Sequence, residues 1–322
     1  MPLQDVTDRK IWLAPLAGYT DNAFRRICKE CGVDVLVSEM VSADGLMHEQ
    51  SNTIDYAKFS DEQQPFFIQI FGNNPLIMAQ GAESLIKLNP YGIDINMGCP
   101  VKKVIKRGAG SALMQTPSIA FDIVREVKKA LHGTDIILSA KFRSGWDLQS
   151  INYLDFGKGL EDAGAELICL HPRTRSQMFS GEAKWEHIKS LKESVTVPVI
   201  GNGDINSIIT GMEMFEKTGC DSIMIGRGSL GKPWLFEEIR SAIDGTFSVP
   251  LDNNWKYKVI EKHLKYVLEE NDNNHEQAVK EFRAHVSTYT KGIPGGSKTR
   301  DLINRTTDVD VIMFEIRKLF RL

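Results

Sequence analysis

Residues 92–100 read GIDINMGCP, and the fold turns on that stretch. Ile93, Asp94 and Ile95 make a short apolar run with one embedded acid, which has strand character. The run stops at Asn96-Met97-Gly98, after which Cys99 is followed by Pro100, whose ring fixes the backbone. A thiol is thus presented just past a strand end. Ligands of α/β proteins bind outside the carboxyl ends of parallel strands, so this is a place for chemistry. The plainer alternative is a small buried hydrophobe, the usual fate of a free cysteine.

Seven similar runs flank it, at residues 11–15, 35–39, 66–71, 136–142, 166–171, 197–202 and 222–226. Helical patterns separate most of them. Asn74-Pro75 and Thr116-Pro117 each place a capping side chain before a proline, a helix start signal, and Gly32, Gly133, Gly164 and Gly219 stand where helices should end. Nearly continuous apolar strands alternating with helices predict parallel pairing with both sheet faces covered. Eight such units predict a (β/α)8 TIM barrel, with a doubly wound open sheet as the alternative. The weakest connection is 41–64, which has loop-like and short helical character. After residue 246 the stretch SVPLDNNW reads as a linker, and the remainder predicts helices at 255–270, 276–291, 297–304 and 309–319. In the last, Val309, Ile312, Met313, Ile316 and Leu319 recur at helical spacing. The expected division is a barrel domain over 1–245 and an all-helical domain over 246–322.

Composition narrows the class. The 322 residues are 42% hydrophobic and 25% charged, enough for a sizeable core. Neither an apolar run of membrane-spanning length nor a secretory leader is legible, so a cytoplasmic protein is expected. Five scattered cysteines do not read as a disulfide framework. The net charge of -3 argues for no nucleic acid globally, but two local clusters do. Lys102, Lys103, Lys106 and Arg107 follow the thiol without an intervening carboxylate, and Arg283, Lys291, Lys298 and Arg300 cluster near the C-terminus with Tyr289 and His285 as candidate stacking or phosphate-contacting groups. Solvated faces are the alternative for each cluster.

In a barrel, all strand ends share one mouth. Collected there are Pro15, Leu16 and Ala17, Glu39, Gln69, Asn96, Cys99, Lys141, Arg143, His171, Arg173, Arg175, Asn202, Gly203, Asp204, Gly226 and Arg227. Burying so many polar groups unpaired would be costly, which argues for a site. The run from Gly226 to Pro233, GRGSLGKP, fails as a Walker A loop because Pro233 stands where a magnesium-binding hydroxyl belongs. It suits a phosphate cradle after the last strands instead, with Gly203 and Gly228 flanking the phosphate of a mononucleotide cofactor; plain tight turns are the alternative. Cys28-x-x-Cys31 has no second pair and His171 no ligand neighbour, so no metal site is expected.

Taken in order, APLAGYTDNAFRRIC, VSEM, IQIFG, DINMGCPVKKV, KFRSGW, HPRTRSQMFSG, GNGDI and GRGSLGKPWLF resemble the tRNA-dihydrouridine synthases over nearly the whole chain, and among them the bacterial nitrogen-regulation-like, synthase B-like branch. The resemblance implies FMN held by Pro15, Leu16, Ala17, Gln69, Lys141, His171, Asn202, Gly203, Asp204, Gly226 and Arg227, with Cys99 as the catalytic acid. It implies NADPH as the electron donor and tRNA as the partner, contacted through Asn96, Lys102, Lys103, Arg143, Arg173, Arg175, Arg283, Lys291, Lys298 and Arg300. Leu16 stands where many relatives carry methionine, a volume-conserving exchange. Reducing the C5=C6 bond of uracil needs a hydride at C6, which no side chain supplies, and a proton at C5, which a neutral thiol can. Lys141 and Arg143 pull against that neutrality, so they are expected to face the flavin or phosphates more than the sulfur. The competing readings are an FMN barrel reducing a small pyrimidine or enone, and a non-catalytic RNA-binding relative. Nothing legible demands an oligomer, and a monomer accommodates every reading.

Overall fold

The computed structural model describes residues 3–48, 51–246, 251–272 and 274–322. Positions 49 and 50 of the expected connection and 248–250 of the expected linker lie outside them. The strands are β1 (Ile11–Leu13), β2 (Leu36–Val37), β3 (Val41–Ser42), β4 (Phe66–Phe71), β5 (Gly92–Met97), β6 (Ile137–Arg143), β7 (Leu167–His171), β8 (Val199–Asn202) and β9 (Ser222–Ile225). All eight expected strands are present, and β3 is an unforeseen two-residue addition that pairs with β4. Every pairing is parallel, in the order β1-β9-β8-β7-β6-β5-β4-β2. A parallel bridge from Trp12 to Val35 and hydrogen bonds of 3.0 and 3.2 Å between their chain segments join β1 back to β2. The sheet therefore closes into a TIM-type barrel, which excludes the open doubly wound alternative.

Successive side chains of a strand point to opposite faces, and here that period of two separates packing from chemistry. Ile93, Ile95 and Met97 of β5, with Leu138, Ala140 and Phe142 of β6, join the outer core beneath the surrounding helices. The alternate positions point inward. Trp12, Val35, Phe67, Ile137 and Leu167 fill the barrel interior with a second apolar cluster. Further toward the carboxyl ends the inward positions turn polar.

Helix signals were read correctly in most cases. Asn74 caps Pro75–Leu85 by accepting from the N–H groups of Leu76 and Ile77, and Gly219 ends Ile208–Thr218 with φ +68°. Thr116 precedes Pro117–Ala130 but makes no side-chain capping bond. Four helices, Asn253–Glu270, His275–Tyr289, Gly296–Asn304 and Val309–Leu319, follow the barrel. Ile260, Leu264, Phe282, Val286, Ile312 and Ile316 form their own core, which also takes in Ala23, Ile27 and Trp234. The helical region is thus seated on the barrel's first helix, Asn22–Glu30. Among the described residues no helix is long and apolar enough to cross a membrane.

Candidate active site

A cavity of about 770 Å³ opens at the carboxyl ends of the strands. Its lining includes Pro15, Leu16 and Ala17 after β1, Gln69 of β4, Asn96 and Cys99 at and after β5, Lys141 and Arg143 of β6, and His171 of β7. Asn202, Gly203 and Asp204, then Gly226 and Arg227, complete it from β8 and β9. All eleven residues expected to hold a cofactor therefore line one cavity, together with the thiol, although up to 212 positions separate them in sequence. Inward alternation explains it: 69, 96, 141, 143, 171 and 202 share the parity that places apolar residues on the opposite face.

Cys99 is half-buried, whereas the other four cysteines are buried. Its loop is held from both sides. Asn96 Oδ1 accepts from the Gly98 and Cys99 N–H groups at 3.2 and 2.9 Å, and Ser111 donates its N–H and Oγ–H to the Cys99 carbonyl at 3.1 and 2.9 Å. Burial pushes the thiol above its ordinary pKa, against the opposing pull of the Val101 N–H and the Arg143 guanidinium. The group is thus a neutral S–H at pH 7. Burial likewise holds His171 well below the usual imidazole value, helped by Lys141, Arg143, Arg173 and Arg227. Arg173 Nη1 lies 3.2 Å from His171 Nε2 and can only donate, so the proton of the neutral ring belongs on Nδ1. Lys141 Nζ donates to Asn202 Oδ1 at 2.8 Å, and Asn202 in turn donates to the Met224 carbonyl at 2.7 Å.

The lining carries Lys141, Arg143, Arg227 and Lys291 against the single carboxylate of Asp204. That carboxylate is already engaged: Arg173 reaches both oxygens at 2.8 and 2.7 Å, and the Ala183 N–H adds a bond of 2.8 Å. An anionic occupant matches this excess of positive charge. The backbone also comes close at two glycines. A Cβ on Gly203, where φ is +126°, would lie 3.0 Å from Ala183 and 3.1 Å from His171, and one on Gly228 would lie 2.1 Å from the Ile205 carbonyl oxygen. Glycines with no room for a side chain, set beside cations, and amide and lysine donors deeper inside fit a planar cofactor bearing a phosphate.

Comparison with known proteins agrees with this chemistry. The dihydrouridine synthase (Dus) family model matches residues 12–319. The chain belongs to the dihydrouridine synthase family. Membership makes it a flavin-dependent oxidoreductase. The tRNA-dihydrouridine synthase B of Pseudomonas aeruginosa is 34% identical over 97% of this chain and 92% of its own length. That of Pasteurella multocida is 37% identical over 97% and 93%. Among solved structures, histamine dehydrogenase from Rhizobium sp. 4-9 matches 81% of this chain with a TM-score of 0.55 at 14% identity. A 2-naphthoyl-CoA reductase matches 74% with a TM-score of 0.56 at 13% identity. The aligned part is about half of each of those longer chains, and the likeness is one of fold.

Several residues of this family member stand elsewhere than expected. Arg173, 2% exposed, is committed to Asp204, the Ser180 and Gly181 carbonyls and His171, so it braces the cavity wall and has no free face for tRNA. Arg143, 3% exposed, lines the cavity but donates to the carbonyls of Gly98, Thr174 and Met178. Arg175 lies over the Trp146 ring, outside the lining. His285 and Tyr289, 1% and 3% exposed, are no stacking platform: they sit in the seam between barrel and helices. There His285 Nε2 lies 3.3 Å from Asp21 and His263 Nδ1 lies 3.0 Å from the Tyr289 hydroxyl. Lys102, Lys103, Lys106, Arg107, Lys291 and Lys298 are exposed, and Arg283 and Arg300 are half-buried with bonds to the Thr306 and Thr290 carbonyls. The sequence reading missed Tyr19, Met40 and Phe179 of the lining. Phe179, 47% exposed, has the Arg227 guanidinium 4.8 Å from its ring; an aromatic among arginines in a strand-end loop was the available signal.

Proposed function

We propose that this dihydrouridine synthase reduces the C5=C6 bond of uridines in tRNA to 5,6-dihydrouridine, with Cys99 as the general acid that protonates C5. The observation that carries this reading is a neutral thiol at the lip of a cation-lined cavity. We assign FMN as the flavin and NADPH as its reductant. When bound, the flavin supplies the hydride for C6. Lys141, Gln69 and Asn202 would hold its ring system, and the backbone at Gly203, Gly226 and Arg227 would receive its phosphate, with Pro15, Leu16 and Ala17 closing the near wall. Asp204 contributes through its backbone, because Arg173 occupies its carboxylate.

A base stacked in folded RNA cannot reach the mouth, so the uridine must leave its stack while the tRNA body docks outside. Residues 1–245 form the catalytic domain and 246–322 the tRNA-binding helical domain in this reading, which the helices' own apolar cluster supports, although Ala23, Ile27 and Trp234 of the barrel share it. Lys102 and Lys103 beside the thiol, Lys291 at the mouth and Lys298 beyond it supply exposed cations for phosphates. Asn96 faces the base with the amide hydrogen left free by its internal bonds. In this reading the enzyme works in the cytoplasm without a metal ion, and a monomer accommodates it.

Cys99→Ala tests the assignment. The purified variant should keep its yellow flavin absorbance while dihydrouridine formation on tRNA falls about 10²–10⁴-fold, the usual contribution of a general acid. Undiminished turnover would overturn the role of the thiol. Turnover of free uridine or an enone that ignores substitution of Lys298 would favour the small-molecule reading instead.

A further inference from the structure

Asp94 lies under the cavity floor, 4% exposed and outside the lining, and neither the fold nor the chemistry above uses it. Its Oδ1 accepts from the Ser139 hydroxyl at 2.6 Å, and its Oδ2 accepts from Gln69 Nε2 at 2.7 Å. Gln69 Oε1 then accepts from Asn96 Nδ2 at 2.7 Å, and Asn96 Oδ1 accepts from the Gly98 and Cys99 N–H groups. The four side chains lie on the inward faces of three neighbouring strands, β4, β5 and β6, whose register pairs Gln69 with Asp94 and Asp94 with Ser139.

The chain has a direction. Burial raises the Asp94 pKa, while the Ser139 hydroxyl, the Gln69 amide and Lys141 favour its charged form; as a carboxylate it only accepts, so Gln69 turns its NH₂ toward Asp94 and its oxygen toward Asn96. Asn96 must then turn its NH₂ toward Gln69, which leaves its oxygen for the two loop N–H groups. Neither amide has a steric reason to choose between its two flips, since oxygen and NH₂ are nearly isosteric. A reversed pair would set the Asn96 NH₂ against the Gly98 and Cys99 N–H groups, donor against donor, in a buried site where unmade bonds are costly.

We infer that Asp94 is a positioning residue: it fixes the polarity of the Gln69–Asn96 amide chain and thereby places the backbone that carries the Cys99 thiol. The inference rests on the role given to Cys99 above, yet its test reads the thiol directly.

In the flavin-free full-length protein, the rate constant for alkylation of Cys99 by iodoacetamide is measured by site-resolved mass spectrometry; in the flavin-loaded protein, kcat and KM for tRNA are measured. Asp94→Leu removes the acceptor at similar volume, and Asp94→Asn keeps an acceptor for Gln69 and gains a donor for the Ser139 oxygen. Asp94→Leu should speed alkylation severalfold by freeing the loop and should lower kcat about 10²-fold, the scale of a 1 Å misplacement, with KM little changed. Asp94→Asn should restore most of both readings toward wild type. Gln69→Leu cuts the chain one link nearer the loop and should reproduce the faster alkylation, which keeps the test decisive if Asp94→Leu does not accumulate in folded form. Alkylation at the wild-type rate in a folded chain-breaking variant, or an Asp94→Asn variant as impaired as Asp94→Leu, would overturn the inference. Failure of the wild-type protein to form dihydrouridine would instead refute the functional reading and leave the alkylation comparison intact.

Discussion

Replacing Arg143 by methionine separates two meanings of a cation at this mouth. Arg143 was expected to contact tRNA, whereas its Nε donates to the Gly98 carbonyl at 2.7 Å and its Nη1 to those of Thr174 and Met178 at 3.0 and 2.8 Å. It therefore ties the thiol loop to the loop after β7. Burial lowers its pKa only to about 10, so it stays charged at pH 7. Hydrogen bonds from a charged donor contribute about 1.5–3 kcal/mol each. The lower figure applies here, because water entering from the mouth can satisfy part of what is lost. Three such bonds give about 4.5 kcal/mol, a large share of the 5–15 kcal/mol that a domain commonly has. With an unfolding entropy of about 2 cal/mol/K per residue, a chain of this length should lose roughly 7 °C in Tm. Methionine keeps most of the buried aliphatic stem, so the change isolates the guanidinium. Calorimetry supplies the first reading and steady-state kinetics the second, where kcat should fall about 10²-fold as the thiol loop loses its tether. A tRNA-contacting arginine would behave differently, raising KM and reducing the salt slope by about one with Tm unmoved. An R143M protein with wild-type Tm and kcat would refute the strut.

Two further outcomes follow from charge. Charge reversal in a Lys102→Glu, Lys103→Glu variant should raise KM for tRNA and reduce the salt dependence of binding by close to one unit of slope per lost phosphate contact, with flavin content unchanged; filter binding across a salt series reads both. At the seam, His263 is held well below its ordinary pKa, by burial first and the neighbouring His285 second, with Asp21 pulling the other way and the Tyr289 hydroxyl on its Nδ1. Its folded form is neutral while the unfolded chain takes up a proton near pH 6.5, so this stabilisation is complete above that pH and is lost as pH falls. The unfolding free energy should therefore fall below about pH 6.5 with a slope of up to 1.4 kcal/mol per unit, Tm with it, and His263→Gln should flatten that slope; identical pH profiles for the two proteins would refute it.

Where the sequence was legible, the physics was local. Apolar runs of strand length and their spacing predicted the barrel, and the residues expected to hold a cofactor line one cavity because strand ends of a barrel converge regardless of sequence distance. The two-residue β3 escaped because so short a run shows no alternation; only pairing with β4 makes Val41 and Ser42 a strand. Arg173 was misread for a different reason. Its partner Asp204 is 31 positions away, beyond any local pattern, and an arginine in a motif gives no sign of whether its charge is already matched. His285 and Tyr289 carry the same ambiguity: beside lysines and arginines in sequence they resemble a nucleic-acid surface, but helical periodicity turns them toward Phe24 and His263 while Lys291 and Lys298 face outward.

The same distinction bears on the acid role proposed for Cys99 among so many cations. Lys141, Arg143, Arg173 and Arg227 all stand around the mouth, and free cations of that number would favour a thiolate. Here Arg173 is neutralised by Asp204, Lys141 is turned to Asn202, and Arg143 is spread over three backbone carbonyls. Only Arg143 acts appreciably on the sulfur, and burial outweighs it, leaving the Cys99 pKa raised. Hydrogen-bonded carbonyls therefore do two things at once: they fix the loop that presents the thiol and satisfy the donors of the nearest cation. A site built to activate a nucleophilic cysteine would need the reverse, with an unmatched cation aimed at the sulfur. Reading the cations as a local count leads to a thiolate, and reading them with their partners supports the proton donor proposed for Cys99.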